Sequence, residues 1–232
     1  MSLFTTGNPK IMKGEKKGYL SFVLHLAPAN LSGKEVCPKR TAGCTAACLN
    51  TAGRGGIFKK GESTNVIQQA RIRRTKFFFE NRREFLNQLT VDIIKAKTMA
   101  EKKGLIPVFR LNGTSDLSWE KYEVANGKNI FQMFPEVQFY DYTKVLGRKT
   151  SHIPNYHLTF SNADGNINDV LAAKQAGLNV AVVFRKNLPE TYLGRKVING
   201  DETDLRFLDD KNVIVGLKAK GKAKKDISGF VV

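Results

Sequence analysis

Apolar residues along this chain take two alternating forms. Short, nearly continuous apolar runs are separated by longer segments whose apolar positions recur at helical spacing. Y-L-S-F-V-L-H-L-A, residues 19–27, predicts a strand ending at Pro28. Residues 105–111, 137–142, 156–160, 178–184 and 213–217 predict five more strands. From residue 63 to about 103 the period becomes helical, with Val66, Ile67, Ala70 and Phe77 able to share a stripe. Asn81 then caps a second helix whose apolar positions are Phe85, Leu89, Ile93, Ala96 and Ala100, and Gly104 ends it. Ser118 is placed to cap a helix with Trp119 in its first turn, and residues 168–177 predict a compact helix.

Strands that alternate with helices and are apolar throughout predict an α/β fold with a mainly parallel sheet. Polar residues gather just after the strands: His25, Asn112, Asp116, Asp141, Tyr142, Ser161, Asn162, Arg185 and Lys186. In parallel α/β barrels that edge carries the site. The economical architecture is a partial or open (β/α) barrel, with a doubly wound open sheet as the alternative. Residues 1–18, polar, basic and glycine-rich, read as an N-terminal arm or edge strand ahead of a single domain over 19–232. A pocket at the strand ends would draw on His25, Asn112, Ser115, Asp116, Asp141, Asn162 and Arg185.

All three cysteines, Cys37, Cys44 and Cys48, fall in one twelve-residue run directly after the first predicted strand. An odd count cannot be used up by disulfides, and three is one short of a structural zinc set. Three thiolates on one loop suit a [4Fe-4S] cluster whose last iron is open or takes another ligand. Zinc with an outside His or Asp, or three small buried apolar residues, are the other readings. Cys44 and Cys48, four apart, would share one face of a helical turn, and Pro38 and Gly43 let Cys37 curl back. Nearby Lys39, Arg40 and Arg54 favour thiolate.

Charge narrows the partners. The 232 residues hold 38 Lys and Arg against 21 Asp and Glu, a formal net charge of +17, which points to a polyanion. Arg71, Arg73, Arg74, Lys76, Arg82 and Arg83 form the densest basic stretch. They flank Phe77, Phe78 and Phe79, which read mainly as core and otherwise as a surface for stacking a base. Lys218, Lys220, Lys222, Lys224 and Lys225 read as exposed chain that would line one side at strand spacing, pinned by the apolar Phe230, Val231 and Val232. Such groups hold phosphates without reading sequence. No signal peptide and no membrane-length apolar run is visible, so a soluble chain in a reducing cytoplasm is expected. The histidines lack zinc spacing, no Walker loop is present, and the pairs Asp201–Glu202 and Asp209–Asp210 read as solvated turns.

A cysteine loop after the first strand of a partial (β/α) barrel resembles the radical S-adenosylmethionine enzymes. That resemblance implies an iron left free for S-adenosylmethionine. The superfamily spaces its cysteines C-x3-C-x2-C where this chain has C-x6-C-x3-C. Its G-G-E-like segment is replaced by N-G-T-S-D, in which Asp116 would be the acidic partner. A closer resemblance is to the phage gene-product-88-like family. It rests on the C-P…G-C…C-L loop with Gly53 and Arg54, on A-R-I-R-R-T-K-F-F-F from Ala70 to Phe79, on Ser115 and Asp116, and on the lysine-rich segment. It implies a viral protein, in the host cytoplasm, with a cluster on the three cysteines, and it specifies no reaction. The expected function is therefore an iron–sulfur protein that binds nucleic acid through its basic surface. The alternative is a radical S-adenosylmethionine-type enzyme acting on nucleic acid or a phosphorylated substrate.

Overall fold

Every apolar run expected to be a strand forms one, and all of them join a single sheet. The computed structural model describes residues 2–7 and 12–232; Met1 and residues 8–11 of the expected arm lie outside the described residues. In chain order the elements are β1 (Phe4–Thr5), β2 (Tyr19–Leu24), α1 (Ala42–Ala46), α2 (Val66–Glu80), α3 (Arg82–Lys102) and β3 (Ile106–Arg110). The short hairpin β4 (Glu123–Ala125) and β5 (Lys128–Asn129) follows, then α4 (Ile130–Met133), β6 (Gln138–Thr143), β7 (Tyr156–Ser161), α5 (Ile167–Gln175) and β8 (Val180–Phe184). The chain continues through β9 (Thr191–Tyr192), β10 (Arg195–Asn199) and β11 (Ile214–Lys218).

The main sheet has the order β1-β2-β3-β6-β7-β8-β11-β10-β9. Neighbours from β2 to β10 run parallel, while β1 and β9 add antiparallel edges. The class is therefore α/β with a mainly parallel sheet. Its two edges do not meet among the described residues, so no closed barrel is present there.

From β2 to β8 the main-sheet strands lie side by side in the order in which the chain makes them. A constant, right-handed crossover then keeps the connecting helices on one face. The packing agrees. Phe78 of α2 and Phe85, Leu89, Ile93, Ala96 and Ala100 of α3 meet Leu20, Phe22, Phe109, Phe139, Tyr156 and Leu158 in one core. Phe160, two residues beyond Leu158 and so on the same side of β7, packs with Val170 and Ala173 of α5. The opposite, inner face carries Tyr19, Val108 and Tyr140, covered by Leu205 and Phe207 of a short 3-10 turn instead of by an α-helix. A doubly wound sheet would need helices there.

Several local expectations change. Val66 is 76% exposed, and α2 buries Gln68, Thr75 and Phe78 in place of the apolar stripe. The reason is polar: this face lies on the cysteine loop, whose carbonyls need donors. Asn65 caps α2 by accepting from the Gln68 N–H, whereas Asn81 precedes α3 without a side-chain cap bond. Ser118 caps nothing, and Trp119–Lys121 is a single 3-10 turn. The segment carrying Lys220 to Lys225 is not extended. It forms a 3-10 turn at Gly221–Lys225 with Ala219 and Ala223 buried, while all five lysines are exposed. Its far end is pinned, since Val231 bridges Val183 and the Val232 N–H donates to Val183 O.

Candidate functional site

The cysteine loop crosses the C-terminal ends of the strands and is held there from several sides. Cys37 is fixed by its backbone, whose N–H donates to Glu35 at 2.7 Å. Its sulfur accepts from the Ala29 N–H at 3.5 Å and lies 3.9 Å from the Thr114 carbonyl. Cys44 sits in α1, whose cap is Thr41. The helical turn stops at Ala47, so Cys48 lies beyond it and opens a 3-10 turn. The expected shared helical face for Cys44 and Cys48 is thereby broken.

Asp164, in the turn after β7, is the principal support of α1. It accepts from the Thr41 hydroxyl, from Gly43 N–H at 3.0 Å and from Cys44 N–H at 3.2 Å. Burial alone would raise its carboxyl, but these donors hold it below the usual range. A Cβ on Gly43 would lie 1.9 Å from Ser228 Oγ and 2.6 Å from Asp164, so only glycine permits this approach. Beneath the loop, Ala47 packs on Ala219, Ala223 and Val231. Arg71 donates to Asn50 at 2.5 Å, and Asn65 and Gln68 donate to the Gly55 carbonyl at 3.0 and 2.9 Å.

The three thiols share one electrostatic neighbourhood. Burial pushes Cys37 up to about 12, with Cys48 and Asp116 adding to the effect and Lys144 opposing it. Burial also raises Cys48, with Cys44 adding and Lys144 and Arg71 opposing. Burial would lower Lys144, but Cys44 and Cys37 in their thiolate forms, together with the Asp116 carboxylate, more than reverse it. Lys144 thus stands as a fixed cation among the thiolates. Among the described residues no three His, Cys, Asp or Glu side chains converge on a single metal ion.

The polar residues expected to line a pocket are largely engaged with one another. Asn112 Oδ1 accepts from Ser115, from the Leu117 N–H and from Trp119 Nε1, and its own N–H donates to Asp141 at 2.7 Å. Asp141 is fully buried and pushed up to about 7 by burial, against the Asn112 donor and the charges of Arg110 and Arg148. Asp116 joins β3 to β6 by accepting from Thr143 at 2.8 Å and Lys144 N–H at 2.7 Å. Asn162 is buried, with its N–H on Ala181 O, and Arg185 donates to the Lys224 and Asp226 carbonyls. His25 is on the inner side of the sheet, beside Arg71 and Arg110. Asp209, read as a solvated turn residue, instead pairs with the buried Arg206 at 3.3 Å.

The basic stretch divides by role. Arg73, Lys76 and Arg83 are exposed. Arg71 holds the loop, and Arg74 donates to Ser2 O at 3.3 and 3.2 Å. Arg82 stacks 4.5 Å from the Phe78 ring centre and 4.8 Å from that of Tyr122. Arg82, Arg83, Lys121, Tyr122 and Asn126 line a groove of about 690 Å³. Phe78 is fully buried, and Phe77 and Phe79 pack against the same core.

His157 faces Arg206 on the inner side, and burial, with that charge, lowers it to about 4. An unfolded imidazole takes a proton near 6.5, so the unfolded chain binds more protons between about 4 and 6.5. Stability should therefore fall as pH drops through that window. The slope is about 1.4 kcal/mol per pH unit for each such histidine. His157→Asn should flatten the urea-unfolding stability between pH 6.5 and 4.5 by about one proton's worth. An unchanged slope would show that His157 protonates in the folded state.

Taken together, the molecule is an open, mainly parallel α/β protein with a cysteine-bearing loop clamped over its C-terminal strand edge. No helix among the described residues is long and apolar enough to cross a membrane. The Gene product 88 family model matches residues 2–232, and the chain belongs to that family of phage proteins. No curated protein and no solved structure matches it significantly.

Proposed function

We propose that this phage protein carries a [4Fe-4S] cluster on Cys37, Cys44 and Cys48 and binds nucleic acid through its basic surface without reading sequence. The observation behind the first half is the shared placement of the three thiols on one clamped loop, with Lys144 and Arg71 beside them. These fixed cations offset the negative charge that thiolate ligation brings. Ligands of one zinc ion each sit about 2.3 Å from it and must converge tightly. Cysteines of a cluster bind separate irons and need not converge on one ion. Buried thiols with raised proton affinity would lose their protons on cluster assembly.

Support for the second half is the net charge of +17, the five exposed lysines packed beside the cysteine loop, and the Arg82–Arg83–Tyr122 groove. The radical S-adenosylmethionine reading is favoured by one feature. Strands laid side by side in chain order, with helices on one face, are the arrangement of a partial (β/α) barrel. In that reading the free iron would take S-adenosylmethionine.

Protein purified without oxygen should absorb broadly in the visible-blue, with iron and sulfide near a four-iron stoichiometry, and Cys→Ser at each position should abolish this. A colourless protein would overturn the cluster. Gel shifts with single- and double-stranded DNA and RNA should weaken steeply, by a factor of about 10³ or more, between roughly 50 and 200 mM salt. Absence of any shift at low salt would overturn the nucleic-acid half. Release of methionine or 5′-deoxyadenosine by the reduced protein would establish the second reading.

A further inference from the structure

At the C-terminal ends of three neighbouring parallel strands lie three polar residues on the inner side: His25 just past β2, Arg110 at the end of β3 and Tyr142 one residue before the end of β6. Val23 pairs with Arg110 across β2 and β3, and His25 lies two residues beyond Val23, hence on its side of the strand. The Arg110 guanidinium stacks 4.7 Å from the centre of the Tyr142 ring. Tyr142 Oη, Arg110 Nε and His25 Nδ1 are all buried without a hydrogen-bond partner.

Buried polar atoms without partners each cost about 1–3 kcal/mol, and they are rare enough that three at adjoining strand ends need a cause. Two further observations point to a bound group. A Cβ on Gly113 would lie 2.6 Å from His25 Nδ1 and 2.7 Å from the Leu24 carbonyl, so a glycine lets the chain after β3 pack against this corner without filling it further. Cations gather here: Arg71, Arg110 and Arg74 act on His25, and Arg206 and Arg110 on Tyr142, with Asp204, Asp141 and Asp209 as the carboxylates nearby. Arg110 spends only Nη1 on Asp204, at 3.0 Å.

We propose that this inner corner is a binding site for a small oxyanion, the phosphate of a small molecule. Tyr142 and Arg110 would donate to it, and His25 and Arg71 would form the wall toward the cysteine loop. A tetrahedral oxyanion accepts several hydrogen bonds at once and would satisfy the donors that the chain leaves unpaired. The site uses no cysteine, and it shares only Arg71 with the surroundings of the thiols.

The decisive variant is Tyr142→Phe, because it removes a hydroxyl that bonds to nothing in the chain. Calorimetric titration with inorganic phosphate, against chloride at equal ionic strength, should show binding to the wild type. Tyr142→Phe should melt no lower than the wild type without phosphate, and should bind phosphate at least tenfold more weakly. Adenosine monophosphate should compete, whereas an oligonucleotide with hydroxyl ends should not. No phosphate binding by the wild type, or an unchanged affinity in Tyr142→Phe, overturns the site. Competition by the hydroxyl-ended oligonucleotide overturns the small-molecule assignment. Each titration is run on as-isolated and cluster-reconstituted protein, so loss of the cluster is read separately from loss of phosphate.

Discussion

Arg148→Leu should melt on the order of 10 °C below the wild type, from a loss of about 3–5 kcal/mol. Arg148 is 2% exposed and lies in the loop after β6 that begins with Lys144. Its Nε donates to Glu120 at 3.1 Å and its Nη2 to Tyr156 Oη at 3.0 Å. Tyr156 in turn donates to Asp141 at 2.9 Å. Glu120 is itself only 6% exposed. Leucine fills much of the space but strands that carboxylate in a poorly solvated place, which is what makes breaking a buried pair costly. The control follows from the same physics. Arg148→Met with Glu120→Leu removes both charges and should recover at least half of the loss in a thermal melt. If the double variant melts no higher than the single one, packing of the arginine stem, and not the stranded charge, carries the effect.

Phe78→Ala should cost a similar amount, about 3–5 kcal/mol, for a different reason. Phe78 is fully buried between α2, α3 and the turn after β3. Its ring meets Phe85 and Phe79 at 5.2 Å and Trp119 and Tyr122 at 5.3 Å, and Arg82 stacks on it. Truncation leaves a cavity that rigid aromatic neighbours cannot fill. Phe78→Leu should lose less than half as much by urea denaturation. Nucleic-acid affinity per folded molecule should be unchanged in both, because the ring has no open face on which to stack a base. A selective loss of binding in Phe78→Leu would place the ring at the interface.

Much of this fold is legible in the sequence because long apolar runs are hard to place anywhere but in a core. β2, β3, β6, β7, β8 and β11 announce themselves in that way, as does α3, whose Phe85, Leu89, Ile93, Ala96 and Ala100 are all buried. β10, R-K-V-I-N, lacks such a run, and β1, β4, β5 and β9 are too short to carry a period. α2 misleads for a physical reason: it covers a loop, and covering carbonyls calls for Asn65 and Gln68 rather than for Val66. The cysteines were legible as a group from spacing alone. Their supports were not. Asp164 stands 120 residues from Cys44 in a turn whose local sequence reads only as a turn. Lys144 is one lysine among many until the fold sets it against the thiols. The inner corner of Arg110 and Tyr142 depends on which face of a strand each residue takes, and a run apolar on both faces conceals that.

The order of the strands has a consequence for how the chain is made. β2, β3, β6, β7 and β8 can each dock on the preceding sheet strand as it emerges from the ribosome, so this part can assemble progressively. β11 breaks the series, for it inserts between β8 and β10 although β10 is synthesised first. Until residues 214–218 arrive, β8 presents an open edge and the β9–β10 hairpin has nothing to join. Unpaired apolar edges of that kind recruit other chains. The period between synthesis of β8 and arrival of β11 is therefore when a nascent chain of this protein is most exposed to aggregation.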